Sequence, residues 1–217
     1  MRQSLPLLTR PVLIAALATA PVAAPVIAQQ GNQAATLPGT PDASRVTVGT
    51  YTVDPAHTQV MWRVNHFGFN DYFGLFGDVK GTLRIDPAKL QSSAVDITIP
   101  LRSLKTNSDG LTKHLSGSDF FEFDRFDEAT FKSTRITLDP DGVRARIDGN
   151  LTLKGQTRPA TITARFEGAG TNPMNKKQTV GFHGLATIKR SQFGIDYALP
   201  NVPDDVNLAI SVAFEKQ

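Results

Sequence analysis

Cysteine is absent from the 217 residues, which excludes disulfides, a thiolate nucleophile and any cysteine-ligated metal centre. The familiar enzyme signatures are missing too. There is no G-x-S-x-G or H-E-x-x-H, and neither glycine-rich nucleotide pattern, G-x-x-x-x-G-K-[ST] or G-x-G-x-x-G. His57, His66, His114 and His183 lack the close spacing of metal ligands, so no metal and no cofactor is expected. The carboxylates Asp119, Glu122, Asp124, Asp127 and Glu128 fix no pair for acid and base work and read as a solvated rim, so no catalysis is expected either.

A long unbroken hydrophobic run is also lacking. Arg2 and Arg10 precede an apolar stretch, residues 11–28, that Pro21 and Pro25 interrupt. With Val26 and Ala28 at peptidase spacing, it reads as a signal peptide over 1–28, cleaved after Ala28, and not as a permanent membrane span. No cysteine follows to carry a lipoprotein anchor, so a periplasmic or secreted bacterial protein is expected. Without the leader the chain carries 21 basic and 20 acidic residues, a balance that gives no footing for a nucleic-acid partner. Residues 29–49 contain few large apolar side chains and read as a flexible tether ahead of a domain over 50–217.

What the chain does have is alternation with a period of two. Val60, Trp62, Val64 and His66 oppose Gln59, Met61, Arg63 and Asn65, and a second run over 79–85 behaves likewise. Between them, Phe67, Phe69, Tyr72, Phe73, Leu75 and Phe76 are spaced by Gly68, Gly74 and Gly77, a connection too apolar to lie free in water. Further strands follow around Val95–Ile99, Ala129–Leu138, Ala145–Leu153, Ala160–Phe166, Val180–Ile188 and Val206–Phe214. Ser108 is placed to cap a short helix carrying Leu111, His114 and Leu115 on one face. Behind that helix, SDFFEFDRFDEATF holds five phenylalanines in fourteen residues. Helix and aromatic loops together are expected to close one end of the sheet. His66, on the apolar face, reads as a core residue, and His57, after Asp54 and Pro55, as a turn contact.

Eight alternating strands suit a sandwich or an up-and-down barrel, and an eight-stranded barrel is filled by its own side chains or holds one small ligand. Gly81, Gly149, Ala160, Ala164, Gly184 and Ala186 recur on the inferred inner faces. Two readings follow from them: an apolar cavity filled by a lipid, or phenylalanines folded inward over the small residues. A third is a secreted β-sandwich whose aromatic segment docks on another protein.

Six segments in order resemble the YceI-like family of polyisoprenoid-binding proteins: YTVDPAHTQVMWRVNHFGF, GLFGDVKGTLRID, KHLSGSDFFEFDRFDEATFKST, GNLTLKGQTRPATI, GFHGLATIKRSQFGID and DDVNLAISVAF. Asp127 departs from the proline usual before the ATF strand, and Trp62 from the more common phenylalanine. The resemblance implies an all-β fold, an eight-stranded antiparallel lipocalin-like barrel, and non-enzymatic binding of a polyisoprenoid or isoprenoid quinone for transport, storage or protection. Trp62, Val64, Leu83, Leu151, Phe166, Phe182 and Ile188 are then expected to line the lipid site, with Phe76, Leu115, Phe131 and Phe193. Phe67, Phe69, Phe73, Phe120 and Phe121 would gate it, and Gly149 and Ala164 would leave room in its wall. Arg102, Lys105, Lys113 and His114 are candidates to meet a head group, although solvation explains each as well. Either a monomer or a homodimer is compatible with this reading.

Overall fold

The alternating runs form ten strands in a computed structural model that describes residues 36–217: β1 (Gly49–Val53), β2 (Gln59–His66), β3 (Asn70–Phe76), β4 (Lys80–Ile85), β5 (Ala94–Pro100), β6 (Glu128–Leu138), β7 (Arg144–Leu153), β8 (Gln156–Thr171), β9 (Gln178–Lys189) and β10 (Asp205–Lys216). One α-helix, α1 (Asp109–Leu115), lies among them. The signal peptide expected over 1–28 lies outside the described residues.

Eight strands pair antiparallel in the order β1-β4-β5-β6-β7-β8-β9-β10, and β10 returns to β1 through Val53↔Phe214, Thr52↔Glu215 and Tyr51↔Lys216. The ring is therefore a barrel closed through β1. Its membership differs from the sequence reading. The short β1 completes the ring, whereas β2 pairs with the other half of β10, Gln59–Arg63 against Ser211–Asn207, and carries β3 on its outer side. The glycine and aromatic segment expected to be a connection is thus mostly the strand β3. Gly74 faces Trp62 across that pair, and the indole occupies the space a side chain at Gly74 would take. Lys105 exchanges two backbone hydrogen bonds with Leu75, at 2.8 and 3.0 Å, and ties the hairpin to the closing segment.

That segment, residues 101–127, covers one end of the barrel. Leu101 and Leu104 are almost fully buried there. The Ser108 hydroxyl accepts from the Leu111 amide at 3.3 Å, the expected N-cap, and Leu115 turns into the core. At the opposite end, residues expected to belong to a flexible tether are tied down instead: Thr40 exchanges backbone hydrogen bonds with Ala169 at 2.9 and 3.2 Å, and Gln178 donates to the Arg45 carbonyl at 2.7 Å. A break in register between Phe166 and Gly168 bends the long β8 just before this contact.

Candidate functional site: an apolar tunnel

Because inward-facing residues alternate along every strand, their bulk decides whether the barrel is solid. It is hollow. One compartment of about 450 Å³ lies toward the end where residues 43–46 and the β6–β7 turn come together. A second, of about 550 Å³, lies under α1 and the β2–β3 hairpin. Val60, Ile99, Leu151, Ile188 and Leu208 line both, so the two spaces adjoin in mid-barrel. Each has the size of a small-molecule site, and the pair runs much of the barrel's length.

A belt of small residues in register lines the first compartment. Ala145 on β7 faces Ala164 on β8, which faces Gly184 on β9, and all three line the space. Isoleucine, valine and phenylalanine make most of the remaining wall, including Ile97, Ile147, Ile162, Ile210 and Val212. These residues stand on the alternating faces read from sequence, so the same signal would have found them. Such a wall offers a guest almost no hydrogen bonds, and what it can stabilise is hydrocarbon.

The second compartment is mixed. Trp62, Val64, Phe76, Phe120 and Phe121 provide apolar surface, while His66, Asn70, His114, Arg190 and Tyr197 bring polar groups. Arg190 is nearly fully buried, and its guanidinium donates to four backbone carbonyls, those of Pro203, Ile195, Tyr197 and Val202, at 2.7–3.0 Å. Burial lowers its pKa below the ordinary value, and Asp204 and Asp196 oppose that shift. Nothing in the alternating pattern marks this arginine, because it follows the last residue of β9. His66 is not the core residue expected. It is exposed at the lip of the compartment, edge-on to Phe67 with ring centres 4.5 Å apart.

A YceI-like domain matches residues 51–214, nearly the whole of the barrel. The chain belongs to the YceI-like family. A UPF0312 protein of Vibrio cholerae is 36% identical over 147 residues, 67% of this chain and 77% of that protein. Among solved structures, Burkholderia cenocepacia BcnA superposes with a TM-score of 0.66 at 24% identity, covering 74% of this chain and 98% of its own. A polyisoprenoid binding domain from Saccharophagus degradans does so with a TM-score of 0.58 at 13% identity, covering 77% and 98%. The family thus bears out the resemblance read from the six segments.

Within this YceI-like barrel, the residues expected at the site divide clearly. Leu83, Phe131, Ala164, Phe166 and Phe182 line the first compartment. Trp62, Val64, Phe67, Phe76, Leu115, Phe120 and Phe121 line the second, and Leu151 and Ile188 line both. Four do not line it. Phe69 and Phe73 point outward, 87% and 51% exposed. Phe193 is buried in the turn after β9, away from the lining. Gly149 opens no space, because the Phe131 ring covers it.

Among the described residues, no three His, Cys, Asp or Glu side chains are grouped to hold a metal ion. Asp54 takes the His57 ring at 2.6 Å within one turn, a local contact. Asp124 and Asp127 are almost fully exposed and lie 3.9 and 3.7 Å from Arg102, which also donates to the Phe123 carbonyl at 2.6 Å. Asp124, Asp127 and Arg102 lie on a solvated rim.

Proposed function

We propose that this YceI-like protein is a secreted, non-enzymatic carrier that encloses one long isoprenoid-type lipid, a polyisoprenoid or an isoprenoid quinone, for transport, storage or protection. The observation that carries the reading is a pair of adjoining compartments along the barrel, walled by valine, isoleucine and phenylalanine. A branched hydrocarbon chain suits the first compartment, and an oxygen-bearing head suits the second, near Asn70, Tyr197 and the imidazoles of His66 and His114. Burial supplies about 0.8 kcal/mol per methylene, less the cost of ordering the chain. The Saccharophagus degradans domain of the same fold, described as polyisoprenoid binding, supports this choice of guest.

The test is mass spectrometry of an organic extract from gently purified protein, alongside the variant Ala164→Leu. A prenyl lipid in near-stoichiometric amount is expected from the parent. The variant places an isobutyl group in the belt of small residues, and its lipid content should fall several-fold with the fold intact. Equal lipid in both proteins would remove the belt from the site, and none in either would remove the carrier.

One observation favours a second reading, a secreted protein-interaction module. Met61 and Leu185 flank Ala209 on the outer face of β2, β10 and β9, and both are exposed, as is Phe73 on β3. A lipid-free protein that captures a single partner through this face would support it.

A further inference from the structure

The sharpest turn of the β2–β3 hairpin is built against local preference. Phe67 and Gly68 both have positive φ, 54° and 78°, and the Phe69 amide closes the turn on the His66 carbonyl at 3.0 Å. Gly68 adopts that conformation freely, whereas a bulky residue at Phe67's position is an outlier in a place that asparagine, aspartate or glycine would fill without strain. The turn also gains little burial, since Phe67 is 47% exposed and Phe69 87% exposed. Two phenylalanines thus project at a tip where polar residues would serve the fold better.

That tip is continuous with the tunnel. Phe67 touches water on one side and lines the second compartment on the other, and Tyr197, itself 48% exposed, stands on the lining against His114 and Phe120. No aspartate or glutamate lines this compartment, and the hairpin's one carboxylate, Asp71, is held by Arg63 at 3.1 Å. Aromatic side chains, imidazoles and an amide without free carboxylates match the polar boundary of a bilayer, where aromatic rings settle at head-group depth and negative charge is repelled by acidic lipids.

We infer that residues 66–70 form a membrane-docking tip, with Phe67 and Phe69 entering the outermost few ångströms of a phospholipid surface so that a lipid passes into the second compartment without crossing water. Such a tip is of use only to a tunnel that carries lipid, so this role rests on the proposed carrier function. The bilayer is the favoured partner over a protein because the exposed ring and the cavity lining meet in one residue.

The experiment uses the protein as its host produces it, vesicles of phosphatidylethanolamine and phosphatidylglycerol, and a dansyl-tagged isoprenoid presented either in those vesicles or in detergent micelles. Phe69→Asp changes no tunnel residue, and Phe67→Asn suits the turn. Both variants should sediment with vesicles about tenfold less than the parent and extract the probe from vesicles correspondingly slowly. Phe69→Asp should take up probe from micelles as the parent does, and Phe67→Asn should melt no lower than the parent. Parent-like vesicle binding by Phe69→Asp overturns the inference, as does a parent that binds vesicles only when a membrane protein is supplied. If the parent binds vesicles and Phe69→Asp does not, yet neither takes probe from micelles, the carrier role fails and lipid transfer through the tip fails with it, while its contact with the bilayer stands.

Discussion

The ring of Phe131 lies across Gly149, with two of its carbons 2.5 and 2.7 Å from the point a β-carbon would occupy. Phe131 pairs with Leu151, so it reaches Gly149 diagonally, two residue pairs along the β6–β7 ladder. The glycine leaves room for a neighbour's ring, and none for a guest. Gly149→Leu is therefore expected to drive Phe131 out of its rotamer and destabilise the barrel by about 3 kcal/mol, the upper range for overpacking. Chemical denaturation would register this as a lower midpoint. A Gly149→Leu protein as stable as the parent but stripped of lipid would contradict it.

Arg190 organises the 191–204 connection from within. Arg190→Met keeps the apolar length of the side chain and deletes the donors to four carbonyls, leaving them unpaired in a buried place. A loss of about 3 kcal/mol is expected. Amide exchange should accelerate first between Ile195 and Asp204, before the barrel strands respond. Uniform acceleration across the ring would show that the arginine supports the whole barrel and not this connection alone.

Asp148, on the barrel exterior, has its pKa held down at about 2 by the hydroxyl of Thr161, then by Arg146 and Arg135. A carboxylate depressed in the folded state favours folding above its unfolded pKa, and that contribution disappears as pH falls through the folded value. The parent should thus lose melting temperature between about pH 4 and about pH 2. Asp148→Asn, which has nothing to titrate there, should show a shallower fall over the same window. Parallel melting curves would mean the exposed cluster contributes nothing measurable.

Much of the barrel was legible because alternation reports directly which residues face inward. The strands around 145–153 and 160–166 fell where the pattern put them, and Ser108 capped the helix that its side chain can only begin. β1 was illegible for a physical reason: five residues ending at a turn are too few to display a period. β3 was hidden by Phe73 and Leu75, apolar residues on its outer side that blur the distinction between faces. The site was legible one wall at a time. Ala164 and Gly149 look alike in sequence, and only the neighbouring strands decide that one opens the tunnel and the other is covered. Phe69 and Phe193 show the same limit, since hydrophobicity alone does not tell a tip from a core. Arg190 lies beyond the last strand position, where no alternation exists to mark it as buried.

Tyr51 and Thr52 are held on one flank by β4 and on the other by the final strand. Ring closure therefore joins segments from the two ends of the domain, a contact of the greatest sequence separation the domain contains and hence a slow one to form. A growing polypeptide must wait for β10 before its wall is continuous, and until then the hydrocarbon-coloured faces of seven strands stand open. Assembly order thus leaves those apolar faces uncovered until the final strand comes into register.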